Sequence, residues 1–245
     1  MSLPECRLMM RNKEHFLNKL KERYPRMKEV DFTYSDMDVY SIEATPAGEV
    51  EAMYFHERCD FENAIISLAY KLERRPIPSS MGAMFLSGLV DRVAMKKTAV
   101  VILSRGGYSA ITAETVGLDQ LAWYDMSLTI RKNHELAHFV QRKLFPQNKN
   151  ALRDEIKADM VGIIAAYGYY DTNLARLFLG TEGDRYRDGG RLQNYADEDS
   201  NIDDLMTTAN EYIYSIAALI DNDKDAFENL ITIESSEAGI STLNG

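Results

Sequence analysis

The sequence predicts an α+β protein, mostly α, with a small antiparallel sheet ahead of a set of long helices. Three observations predict this class. Between residues 29 and 55, and again between 98 and 111, Val, Ile, Phe and Tyr fall in short, loosely alternating runs of the kind that make strands. From residue 119 onward, apolar residues recur at three- and four-residue spacing, over stretches too long for strands. Between these regions lies Arg75-Pro76-Ile77-Pro78-Ser79-Ser80, whose prolines and serines break both periods. That linker predicts an N-terminal α/β segment over 1–75 and a second domain over 80–245, which can also close into one unit.

The elements follow in order. Residues 12–24 read as a helix with Phe16, Leu17, Leu20 and Tyr24 on one face, stopped by Pro25. Residues 29–43 and 49–55 read as strands joined around Pro46-Ala47-Gly48. Residues 61–74 form an amphipathic helix with Phe61, Ile65, Leu68 and Leu72 on one side, and 82–95 read as helical. Thr98–Leu103 is a short buried strand ended by Arg105-Gly106-Gly107, with Tyr108–Ile111 a second strand antiparallel to it. Long helices are expected near 119–144 and 151–170, separated by Phe145-Pro146-Gln147-Asn148-Lys149-Asn150. The polar, glycine-rich residues 180–201 predict a long loop, and further helices are expected over 202–220 and 224–234.

Composition narrows the partners. A net charge of −10 and a pI near 5.0 argue against nucleic acid or an anionic membrane, since phosphate binding needs clustered Lys and Arg. Two cysteines, Cys6 and Cys59, cannot build a disulfide framework, which favours a reducing compartment. The opening residues MSLPECRLMMRNKEHF lack an apolar signal core, and no stretch reaches the length of a membrane span. The expectation is a cytoplasmic protein.

The chemistry concentrates in His134-Glu135-Leu136-Ala137-His138, an HExxH motif. Residues i and i+4 share a helix face, so both imidazoles can reach one metal ion, with zinc as the expected metal. Glu135 lies about 100° round the helix from His134, beside the metal rather than on it, where it can act as a base toward water. The chain has four histidines and none after His138, so a third ligand downstream must be a carboxylate. The next helix offers Asp154, Glu155 and Asp159, with Glu155 and Asp159 on one face. Ala158, Gly162, Ala165 and Ala166 line the same side, small enough for two helices to approach closely. A metzincin would need Gly and His where Gln141 and Leu144 stand, which excludes that class.

HELAH followed by ExxAD-x-x-G resembles the gluzincin clan of zinc metallopeptidases over residues 127–165, and within it the branch that holds the prenyl-protein peptidases. The resemblance implies a zincin-like core in which Glu155 is the third zinc ligand. It also implies that Asp159 holds the spare N–H of a ligand histidine, by preference His134. The implied activity is hydrolysis of peptide bonds in a peptide or protein substrate, with Glu135 as general base. The clan also implies an edge strand for an extended substrate, expected at Tyr108–Ile111. Arg131 and Lys132 stand where zincins usually carry uncharged residues. This leaves a second reading: a regulatory or binding protein that keeps the zinc site but cleaves one partner or none.

A second electrophile for the developing oxyanion must be Tyr or Arg, because no late histidine exists. The loop Gly183–Tyr195 supplies Arg185, Tyr186, Arg187, Arg191 and Tyr195, with Tyr195 and Arg191 preferred. Elsewhere the expectations are structural. His56 and Cys59 mark a helix entry, His15 lies on the surface, and Trp123 and Tyr167 belong to the core. Asp197-Glu198-Asp199 and Asp203-Asp204 read as a solvated loop and a helix N-terminus.

Overall fold

The computed structural model describes residues 13–197 and 200–243, with side chains placed over 16–197 and 200–239. Cys6, Glu198 and Asp199, and the side chain of His15, lie outside what is described. The protein is α+β, about half helical with a small sheet. It divides into two compact units: residues up to Ala44 with Gly48–Arg105, and Thr45–Ala47 with residues from Gly106 onward.

In the first unit, helix α1 (Lys13–Arg23) ends ahead of a 3-10 turn at Pro25–Glu29. Strands β1 (Val39–Thr45) and β2 (Gly48–Phe55), helix α2 (Arg58–Leu68), and strands β3 (Ala83–Asp91) and β4 (Lys96–Ser104) follow. The sheet order is β1-β2-β4-β3. The core gathers Leu17, Leu20, Met53, Phe55, Phe61, Ile65 and Ile102. Three expectations are corrected here. Residues 83–91 form a strand, not a helix; they pair antiparallel with β4 across a bulge at Ser87/Leu89, beside Gly88 at φ +74°. The sheet is mixed rather than antiparallel, because β2 pairs parallel with β4 from Glu51↔Val100 to Phe55↔Ser104, and α2 lies in the connection between them. The unit boundary falls at Gly106 rather than at 75–80, because these sheet hydrogen bonds tie 83–104 to β2.

The second unit is built on helices α3 (Gln120–Leu144) and α4 (Ala151–Tyr167). Asp119 caps α3 by accepting from the N–H groups of Leu121 and Ala122, and Asn150 caps α4 by accepting from Arg153 N–H. Gly168, at φ +79°, ends α4 in the left-handed conformation. The two helices run antiparallel and touch where a Cβ on Gly162 would stand 2.7 Å from the Ile130 carbonyl oxygen. Glycine there allows the close approach anticipated from the small residues. Helix α5 (Thr172–Leu179), two-residue strands β5 (Thr181–Glu182) and β6 (Arg185–Tyr186), a 3-10 turn at Arg191–Tyr195, and helices α6 (Ile202–Ala217) and α7 (Ala226–Leu243) complete the unit. Its core includes Trp123, Ile130, Val140, Ile156, Phe178, Ile213, Leu230 and Ile233. Among the described residues no helix is long and apolar enough to cross a membrane.

Tyr108–Ile111 is not a strand. It opens with a 3-10 turn in which Ser109 and Ala110 have φ of 52° and 58°. Tyr108 turns its ring inward against Phe178, with centroids 4.8 Å apart, and its N–H donates to Ser127 Oγ at 2.9 Å. The positive φ at Ser109 and Ala110 takes this backbone out of the extended range that a strand needs.

Candidate metal centre

His134, His138 and Glu155 converge on one point between α3 and α4. His138 Nε2 lies 3.1 Å from His134 Nε2 and 3.1 Å from Glu155 Oε1, and His134 Nε2 lies 3.4 Å from Glu155 Oε2. Ligands about 2.0–2.1 Å from a tetrahedral zinc stand roughly 3.3 Å apart; each ring nitrogen stands near that distance from its nearer Glu155 oxygen, and one atom from each of the three residues lies within 4.8 Å of the others.

The hydrogen bonds on the opposite ring atoms decide which nitrogens face this point. His134 Nδ1 donates to Asp159 Oδ1 at 2.9 Å, because a carboxylate only accepts. His138 Nδ1 is 3.1 Å from the amide oxygen Oε1 of Gln141, which likewise only accepts. Each Nδ1 therefore carries a proton, and the two Nε2 atoms and a carboxylate face one another. Such a cluster calls for a cation at its centre, either a proton or a metal ion.

Asp159 is fully buried and compensated by three donors. Besides His134 it accepts from Tyr108 O–H at 2.6 Å and from Arg191 Nη1 at 3.1 and 3.2 Å. Arg191 Nη2 donates to Glu155 Oε2 at 2.6 Å. The glycines of the 180–190 loop aim this arginine. A Cβ on Gly180 would stand 2.6 Å from Gly190 Cα, so two backbones touch there and deliver residue 191 to the carboxylates. Arg191 thus reaches the site, with both terminal nitrogens engaged by Glu155 and Asp159. The Tyr195 hydroxyl lies close enough to Glu155 to feel its charge. Glu135 is half-buried, and its carboxylate makes no hydrogen bond or ion pair with the described residues.

The electrostatics follow from these contacts. Burial alone would raise the Glu155 pKa, but the facing imidazoles of His134 and His138 and the Arg191 charge hold it well below the carboxylate range. Burial would also raise Asp159, and Arg191 and His134 overcome it, so Asp159 stays ionised. Burial would lower His134; its bonds to Asp159 and Glu155 prevail and raise it to about 10 in the metal-free chain. Burial, reinforced by Glu155, pushes the Tyr195 phenol up and keeps it protonated.

Sequence reasoning missed Tyr108 and the role of Gln141. Gln141 lies three residues after His138, on the same helix face, and that spacing was the available signal. Tyr108 had only a weak one: Gly107, where a Cβ would stand 2.9 Å from Trp123 Nε1, sets the tight turn that turns the ring inward. Arg131, one of the two charged residues ahead of the motif, is buried and donates to the carbonyls of Gly106 and Gly107 at 3.3 and 3.1 Å, bracing that turn. His56 is engaged by Arg105 and Tyr54, ahead of α2, which starts at Arg58. Asp203 and Asp204 occupy the first turn of α6.

Fold and site together define an α+β protein carrying a two-histidine, one-carboxylate cluster on antiparallel helices. The chain belongs to the family of unknown function DUF7005, whose model matches residues 20–99 and 94–243. No curated protein and no solved structure matches it.

Proposed function

We propose that this chain is a zinc-dependent hydrolase of gluzincin type that cleaves peptide bonds. The observation that carries the reading is the convergence of His134 Nε2, His138 Nε2 and Glu155 at 3.1–3.4 Å, with both Nδ1 atoms hydrogen-bonded away. His134, His138 and Glu155 would hold the ion, and three protein ligands leave room for a water or substrate oxygen. Zinc, when bound, supplies a Lewis acid that acidifies water and polarises a carbonyl. Glu135 takes the proton from the attacking water on its carboxylate and returns it to the leaving amine nitrogen. Tyr195, kept protonated, is placed to donate to the developing oxyanion from its position beside Glu155. Arg191, Asp159 and Tyr108 position the ligands and fix the His134 tautomer.

A second reading retains the metal and drops general cleavage. One observation favours it: residues 108–111, expected to offer the substrate an edge strand, form a turn. Glu135→Gln separates the two. Under the peptidase reading it keeps zinc and lowers hydrolysis of a peptide library by roughly 10²–10⁴-fold. A zinc-loaded wild type that cleaves nothing in that library contradicts the peptidase reading and leaves the regulatory one.

A further inference from the structure

We infer that Gln141, locked by Glu234 of the C-terminal helix α7, is a positioning residue that decides which ring nitrogen of His138 faces the metal point. The inference rests on the zinc reading for its purpose, while its geometry is independent of any metal.

An amide side chain can be turned either way, so its neighbours choose its orientation. Gln141 is buried, and its Nε2 lies 3.1 Å from Glu234 Oε1 and 3.3 Å from the backbone carbonyl of Asp154. Both neighbours are obligate acceptors. Turning the amide would lose two hydrogen bonds and set its oxygen against two others. The amide oxygen is therefore forced toward His138 Nδ1, at 3.1 Å. An amide oxygen cannot donate, so Nδ1 must carry the proton, and a neutral imidazole protonated there presents a bare Nε2.

Glu234 is itself held firmly. It is fully buried, with Lys157 Nζ at 2.7 Å from Oε1 and Asn148 Nδ2 at 2.8 Å from Oε2. The chain of contacts runs Lys157 to Glu234 to Gln141 to His138, and joins α7 to the motif helix across 93 residues of sequence. His134 receives the same service directly from Asp159. The two ligand histidines thus owe their tautomers to carboxylates on different helices, α4 for one and α7 for the other.

The test uses the full-length chain labelled with ¹⁵N-histidine, stripped of metal, and then titrated with zinc against a chelator. Wild type is expected to show His138 protonated on Nδ1. Gln141→Leu removes the acceptor: the ring then populates both tautomers and zinc binds roughly 10–100-fold more weakly. Lys157→Met combined with Glu234→Leu removes the lock without leaving a buried unpaired charge, and is expected to weaken zinc binding several-fold. Three results overturn the inference: wild-type His138 protonated on Nε2, a folded Gln141→Leu that keeps the Nδ1 proton, or variants whose zinc affinity stays within about twofold of wild type. Should wild type bind no zinc at all, the zinc reading falls, while the tautomer in the metal-free chain still judges the inference.

Discussion

Helix α4 carries two buried polar clusters within one turn, and they are built in opposite ways. Around Lys157 the cation belongs to the protein. Its ammonium lies 2.7 Å from Glu234, 2.8 Å from Glu237 and 3.5 Å from Asp154, so the carboxylates surround a charge already present. Around Glu155 the donors surround a point with no side-chain cation at its centre among the described residues. His134 Nε2, His138 Nε2 and Glu155 face one another, and Arg191 grips Glu155 through Oε2 while His138 faces Oε1. The first cluster is closed and structural. The second gathers two ring nitrogens and a carboxylate around a point whose only positive charge in the metal-free chain is the His134 proton, which an external cation would replace. Neighbouring carboxylates on one helix thus differ in where their compensating positive charge comes from.

The largest effect that would sharpen this contrast lies in the closed cluster. Lys157→Met leaves the fully buried Glu234 without its counter-ion, and is expected to lower unfolding free energy by about 3–5 kcal/mol in urea titration. A loss below about 1 kcal/mol would show that the ammonium is not the centre of that cluster.

A smaller effect separates the clusters by pH. In the metal-free chain, the raised His134 pKa of about 10 lies above the unfolded value of about 6.5. Its stabilisation is therefore fully present below pH 6.5 and lost as pH rises toward 10. Glu155 and Asp159, both lowered, stay ionised throughout this window and add no slope. Zinc binding between pH 7 and 9 should then release about one proton from His134, measurable by calorimetry in buffers of different ionisation enthalpy. Zinc binding without proton release would break the account of how the open cluster rests without metal.

Much of the second cluster was legible in the sequence, and little of the first. Two histidines at i, i+4 and two carboxylates at i, i+4 on the next helix are local patterns, and Gly162 advertised the close approach at Ile130. Nothing local in the sequence marks Lys157 or Arg131 as buried, since charged residues are usually solvated. Their burial depends on Glu234 and Glu237 in one case and on the Gly106–Gly107 carbonyls in the other, partners remote in sequence. Tyr108 was read as strand because three or four residues cannot distinguish a strand from an inward turn. Helix α5 went unseen although Asp171 caps it and Gly180 ends it, since eight residues make a weak period. Residues 83–91 read as helix because their apolar run suits either period, and the pairing with β4 that decides the matter is tertiary.

The central claim is that the open cluster takes one metal ion. Its most direct test is zinc analysis of the purified, zinc-equilibrated chain beside His134→Ala and Glu155→Ala. One zinc per wild-type chain is expected, and none retained by either variant. A wild type that holds no zinc, or variants that hold as much as wild type, would contradict it.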